Sequence, residues 1–292
     1  MRFITLIVSF LAIATFAGCA SKSVKEDVVY SGPAVRLRPA PGPGASAGQS
    51  QASALGFVNA RREEVGLPAI AVDRGLEAAA RDHARYLVLN RVGTHDEIEG
   101  RPGFTGADIL TRVRLHTQAH SASEVLAMIG SSQTDSSPVE HIFASPYHRG
   151  ALLFDWARSG EGSLAGSGSV TVMDFADIAR TLANNELIAW PYGTQTRVPT
   201  AWMNNEQPDP MGPDSGYRGQ VLGYPITLSG GPNAHIELQN VELRDARGAK
   251  VACRIAPLTA ADAARNTAVC TPYEPLKFNT RLPCTHAARC GN

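Results

Sequence analysis

The sequence lacks an excess of either charge: across 292 residues, Lys+Arg 27 balance Asp+Glu 27 for a net charge of +0. Without a basic footprint, phosphate binding loses its usual electrostatic driver, which argues against a nucleic-acid partner. The sequence also lacks a second long apolar run. Outside the N-terminus nothing approaches the roughly 18 residues of a membrane span, so the pattern excludes a polytopic membrane protein. It has no H-E-x-x-H, the helical signature of a zincin peptidase, and no C-x-x-C pair. What it does have suits a folded core: 43% of the residues are hydrophobic, and Gly 27 with Pro 19 suggest long loops and a β-rich portion. The length is enough for about two ordinary domains.

The N-terminus reads as an address. Met1-Arg2 precedes an apolar run from Phe3 to Ala17, followed by Gly18-Cys19. A short positive start, a run too short to anchor and a small-residue cleavage site mark a secretory signal over residues 1–18. Phe16-Ala17-Gly18-Cys19 resembles the lipobox of bacterial lipoproteins, with Phe where Leu is usual. That resemblance implies acylation (palmitate among the chains) of Cys19 and a lipid anchor in the cell envelope. Ala20 after the cysteine favours the outer membrane over the inner, facing the periplasm. An ordinary cleaved signal is the alternative. In an exported chain the even set Cys253, Cys270, Cys284 and Cys290 reads as disulfides, with three possible connectivities. Pairing Cys253 with Cys270 and Cys284 with Cys290 closes the shortest loops, and free thiols are the other reading.

Residues 19–51 carry Pro39-Ala-Pro-Gly-Pro-Gly-Ala-Ser46, a composition that reads as a semi-extended tether. A first globular region follows over 52–183. Leu55, Val58, Arg62 and Val65 fall at helical spacing, and Gly66 stops that helix. Asp73 caps a second helix with Leu76, Ala80, Ala84 and Leu87 on one face. His83, near that alanine face, reads as a core histidine. A third helix is expected over 109–115, and further helices near 123–129 and 138–144. Gly160 to Ser169 reads as a flexible loop, and Val170 to Phe175 as a strand. From 184 to 292 the text is strand and turn, with Asp245-Ala-Arg-Gly248 as a hairpin turn. This portion resembles a small, incomplete immunoglobulin-like β-sandwich. Its tail from Arg281 onward shows no strand alternation, so the last sandwich edge is expected to be unpaired or covered by that tail.

Within the first region, Phe57-Val-Asn-Ala-Arg61, Gly66-Leu-Pro68, Asp73, the Ala-rich second helix, Thr94-His95, Ser123-Glu124-Val125 and Ser145-Pro-Tyr-His-Arg149 occur in an order that resembles the bacterial branch of the CAP superfamily. That superfamily is named for cysteine-rich secretory proteins, antigen 5 and pathogenesis-related proteins, and its bacterial SCP-like members match over about residues 53–176. The resemblance implies an α+β fold, an α-β-α sandwich with helices on both sides of a small antiparallel sheet. It also implies a cleft of two His and two Glu able to hold a divalent metal. His95, Glu124 and His148 match that set, whereas Ser145 stands at the second Glu position. Glu140 or Glu97 could substitute.

Two imidazoles and a carboxylate suit zinc with an open water position, or an acid–base pair without metal. A competing set, His116, His120 and Glu124 at i, i+4 and i+8, is outweighed by Ser121 or Ser123 as a helix N-cap. The only G-x-S-x-G match, Gly44 to Gly48, lies in the tether and has no strand before it. These readings give three functions. The first is an envelope binding module whose His/Glu cleft takes a metal or a small lipid-like ligand, with envelope lipid, peptidoglycan or protein as partner. The second is a metal-assisted hydrolase of envelope peptide or glycan with His148 or Glu124 as base. The third is a structural envelope protein without chemistry.

Overall fold

The computed structural model describes residues 35–44, 53–130, 138–165, 168–193, 195–245, 247–257, 266–277 and 284–291. The signal segment, Cys19 and the tether other than 35–44 lie outside them. No helix among the described residues is long and apolar enough to cross a membrane.

Local sequence sets the first helices. In α1 (Ala54–Glu64) the Ser53 hydroxyl accepts from Gly56 N, and Gly66 takes a positive φ of 75° just past the end. Asp73 caps α2 (Arg74–Asn90) by accepting from the amides of Gly75 and Leu76. Between these helices the Asn59 side chain bonds both the carbonyl and the amide of Ile70, at 3.2 and 2.8 Å. Fully buried Arg62 donates to the carbonyls of Pro68 and Phe154. The N-x-x-R spacing therefore fixes the connection rather than any reaction. Asn59→Ala should cost about 1–2 kcal/mol by leaving the Ile70 amide unpaired, measured by urea unfolding.

A four-stranded sheet lies against α2 in the order β2 (Ala71–Val72), β4 (Trp156–Ala165), β5 (Gly168–Ile178) and β3 (Ala122–Gly130). Alternation along its strands makes two faces. Ala122, Leu126, Val170, Val172 and Ala176 pack with α2 and with α3 (Ile109–Arg114). Val125, Met173 and Phe175 face the opposite way, into the core shared with α1, α4 (Pro138–Phe143) and α5 (Pro146–Leu152). The α-β-α arrangement is as expected. Two local readings are corrected. Residues 123–129 are strand, because β3 pairs with β5 along its whole length, Ala122↔Ala176 through Gly130↔Gly168. Residues 160–165 are strand too, since Gly160 and Gly162 let β4 lie directly on α2.

Beyond residue 184 a five-stranded sheet runs in the order β1 (Arg36–Leu37), β6 (Glu186–Trp190), β9 (Ile226–Gly230), β13 (Thr267–Pro272) and β12 (Cys253–Ile255). A three-stranded sheet of β11 (Lys250–Val251), β10 (His235–Arg244) and β14 (Cys284–Gly291) packs on it through Leu187, Leu228, Ile236 and Ala268. A separate hairpin pairs β7 (Ala201–Met203) with β8 (Val221–Gly223). The expected hairpin turn forms at Asp245, whose carboxylate accepts from Arg247 N and Ala249 N.

Three further expectations are revised. Residues 35–44 are not tether: β1 adds in parallel to β6, and Arg38 bonds Gly66 O at 2.8 Å, Thr181 O at 3.1 Å and Glu186 at 2.8 Å. The tail is not strandless, because β14 pairs with β10 from Cys284↔Leu243 to Cys290↔Ile236. The backbone places Cys284 and Cys290 at opposite ends of β14, which is the third revision, since the expectation has no strand there. Cys253 and Cys270 do form a disulfide, with Cα atoms 5.8 Å apart, joining β12 to β13. Residues 33–292 form one compact unit. Tryptophans 190 and 202 are buried packing residues.

Candidate functional site

On the α2 face of the four-stranded sheet, five elements bring ionisable side chains together. His83 comes from α2, His95 and Glu97 from the loop after it, Arg112 from α3, Glu124 from β3 and Asp174 from β5. Glu124 and Asp174 are direct cross-strand partners. His95 Nδ1 donates to Glu124 Oε1 at 2.8 Å, and its side chain is 54% exposed while that of Glu124 is 1% exposed. Arg112 Nη2 donates to Glu124 Oε2 at 2.9 Å. His83 is fully buried, with Nδ1 2.8 Å from Glu97 Oε1, and Nε2 3.0 Å from the Thr94 carbonyl and 3.5 Å from Glu124 Oε1. Glu97 also accepts from the amides of Thr105 and Gly106, which closes its loop.

The electrostatics follow from this geometry. Burial pushes Glu124 upward, but the His95 hydrogen bond and the charges of His83 and Arg112 outweigh it, so its carboxyl sits below the usual value. Asp174 goes the other way: burial first, then the neighbouring Glu124 carboxylate, push it well above. Neither Asp174 oxygen meets an N–H or hydroxyl donor among the described residues, while its carboxyl hydrogen-bonds that of Glu124. Burial and a second carboxylate across the strand pair both favour the protonated acid at Asp174.

The structure thus unites His95 with Glu124 and separates His148 from them. His148 lies on α5, whose apolar residues pack on the face of the sheet opposite to Glu124. Its Nδ1 and its amide both donate to Glu206 Oε1 at 2.8 Å, and Tyr147 N adds a third bond at 2.9 Å. Glu206, from the β7–β8 connection, therefore caps α5, where Ser145 makes no side-chain cap bond. Arg149 is fully buried, with its guanidinium 5.0 Å from the Tyr224 ring centre and bonded to Pro225 O. The competing trio also dissolves, since His116 pairs with Asp82 at 3.0 Å and Glu124 is in a strand.

Sequence reasoning missed Arg112 and Asp174 and placed Glu97 only as a substitute. Asp174 had a signal: it falls in phase with Val170 and Val172, so a strand there puts an acid on the buried face. Glu206 had none, standing in a turn cluster with no spacing relation to His148.

A divalent metal fits these residues poorly. Both Glu124 oxygens are taken by His95 and Arg112, both His83 nitrogens face acceptors, and the guanidinium brings a fixed positive charge within hydrogen-bond distance of the carboxylate. Among the described residues no group of three or more His, Cys, Asp or Glu is arranged to hold an ion. The expected ligand set His95, Glu124 and His148 is not a common site.

No curated protein matches the chain. Two solved structures resemble part of it. An outer surface protein from Borrelia burgdorferi shows 22% identity, covering 42% of this chain and 89% of that one, with a TM-score of 0.36. An extracellular protein containing a SCP domain from Bacillus anthracis shows 21% identity, covering 42% and 38%, with a TM-score of 0.34. Residues 55–153, which run from α1 through the end of α5 and include His83, His95, Glu97, Arg112, Glu124 and His148, match the model of the CAP, cysteine-rich secretory protein, family. The likeness to that family rests on residues 55–153, the stretch that holds the His/Glu cluster.

Proposed function

We propose that this protein is an exported interaction module of the cell envelope, anchored by an acylated Cys19, most simply to the outer membrane, and that it engages an amphiphilic envelope ligand such as a lipid at the His95 edge. One observation carries this reading: the His95 ring is oriented by buried Glu124 yet half of its side chain stays open to solvent. An imidazole held in one tautomer with Nε2 outward presents a single directed hydrogen-bonding group. Ile98, three residues on, is 54% exposed and supplies an apolar neighbour in sequence. The reading as a metal-assisted hydrolase loses its support, because its candidate bases lie on opposite faces of a sheet and the Glu124 carboxylate is already engaged by a guanidinium.

Two measurements test this. Metabolic labelling with palmitate should mark the protein and vanish in Cys19→Ala. Co-sedimentation of the unacylated chain with vesicles of phosphatidylethanolamine and phosphatidylglycerol should be about tenfold weaker for His95→Ala, a loss of about 1.4 kcal/mol. Retention on peptidoglycan sacculi instead would move the ligand from lipid to glycan. Equal retention of wild type and variant would leave a structural envelope protein.

A further inference from the structure

We propose that the positive charge at the His/Glu site of this CAP domain is built into the chain as the Arg112 guanidinium, which makes the site independent of a divalent metal. The inference does not rest on the ligand proposed above. Its basis is the disagreement between the resemblance, which implies a cation bound by His and Glu, and the side chains that surround Glu124.

Arg112 is 1% exposed, and α3 aims it at two carboxylates: Nη2 is 2.9 Å from Glu124 Oε2 and Nε is 3.9 Å from Glu97 Oε1. Its guanidinium lies between the two carboxylates, so an ion cannot reach them without displacing it. The charges around Glu124 already include a cation fixed in the chain. Glu97 and Glu124 supply two negative charges. Arg112 supplies one positive charge, and both ring nitrogens of His83 face acceptors. A divalent ion would have to expel Arg112 or leave unbalanced positive charge in a dry site, and the cost of unpaired buried charge is several kcal/mol. The coordinating oxygens themselves are already spent on N–H donors. A guanidinium orients by fixed hydrogen bonds and generates no hydroxide, so what the site offers to solvent is the His95 edge alone.

The test uses the full chain in detergent, stripped with chelator and titrated calorimetrically with zinc chloride, with thermal melts in zinc and in EDTA. For wild type we expect no saturable binding that depends on His95 or Glu124, and the same Tm in both solutions. Arg112→Met vacates the cation position, so it should gain a saturable zinc site of one ion per chain that wild type lacks. That variant should melt higher in zinc than in EDTA, and Glu124→Gln in the same background should abolish both effects. One zinc per wild-type chain, lost in His95→Ala and in Glu124→Gln, would overturn the proposal, as would a wild-type Tm lowered by EDTA. If Arg112→Met does not fold, the wild-type titration still decides. Arg112→Lys, which keeps the charge, should then remain blind to zinc, and zinc binding by it would also count against the proposal.

Discussion

Gly162→Ala is expected to abolish the native fold, and Gly160→Ala to do nearly the same. Both glycines lie on the face of β4 that meets α2, and the contact is backbone to backbone. A Cβ on Gly162 would stand 2.3 Å from Arg81 N and 2.5 Å from Ala80 C; one on Gly160 would stand 2.1 Å from Glu77 N and 2.4 Å from Leu76 C. No side-chain rotation relieves such contacts, so the helix must lift from the sheet. Lifting it uncovers Ala80, Ala84, Leu87, Val170 and Val172 together. Overpacking a core by one methyl costs about 1–3 kcal/mol when neighbours can yield, and here the neighbours are backbone atoms. The cost should therefore exceed about 3 kcal/mol per site, a large part of the roughly 5–15 kcal/mol that holds a domain together. Circular dichroism and urea midpoints measure it. Gly193→Ala is the control: a Cβ there meets nothing within 4 Å, so its effect should stay within about 0.5 kcal/mol. A Gly162→Ala protein with a wild-type midpoint would mean that α2 does not rest on β4 as described.

These glycines also show how far the sequence could be read. Helical periodicity located α1 and α2, with Asp73 as the cap of α2; Ser53 and Asp108 cap α1 and α3 in the same way, each acting on amides two or three residues away. Local chemistry of that range is legible in one dimension. Gly160 to Ser169, by contrast, looks like a loop from composition, while its glycines are there for what lies across from them. Ser123-Glu-Val-Leu-Ala-Met128 is rich in helix formers, yet nine paired positions with β5 make it a strand. That single misreading put Glu124 at the head of a helix, whereas it lies on the buried face of β3, a strand at the edge of the sheet. There its partners are set by cross-strand register, which no motif records. Ser145-Pro-Tyr-His-Arg149 did mark the start of α5, but the acid that His148 uses is Glu206, 58 residues later. The His95–Glu124 half of the expected site survives because both residues border the same helix. The His148 half fails because alternation puts α5 behind the sheet.

Asp174→Asn should stabilise the protein at pH 8 and flatten its stability profile between acid and neutral pH. Asp174 is fully buried and is pushed well above its ordinary 3.8, by burial first and by the Glu124 carboxylate second. The native state therefore keeps a proton that the unfolded chain gives up. Stability is fully present below pH 3.8 and falls as pH rises through the interval up to the folded value, since folding must then take up a proton. Glu124 acts with the opposite sign: it is held low, so its contribution is present above the ordinary 4.5 and is lost as the pH drops through its folded value. Asparagine replaces the acid O–H with an amide N–H that can still donate to Glu124, and it removes the proton uptake. Removing that proton uptake gains about 1.4 kcal/mol for each pH unit between the ordinary and the folded value, and each kcal/mol raises Tm by about 2–4 °C in a chain of this size. Melting curves from pH 4 to pH 8 should therefore converge at the acid end and diverge at the alkaline end, with Asp174→Asn the higher. Infrared difference spectra supply a readout independent of stability: wild type at pH 7 should show the carbonyl band of a buried protonated acid, absent from Asp174→Asn. Parallel melting profiles together with no such band would mean that Asp174 is ionised in the fold, and that the Glu124 side of the cluster takes its proton from elsewhere.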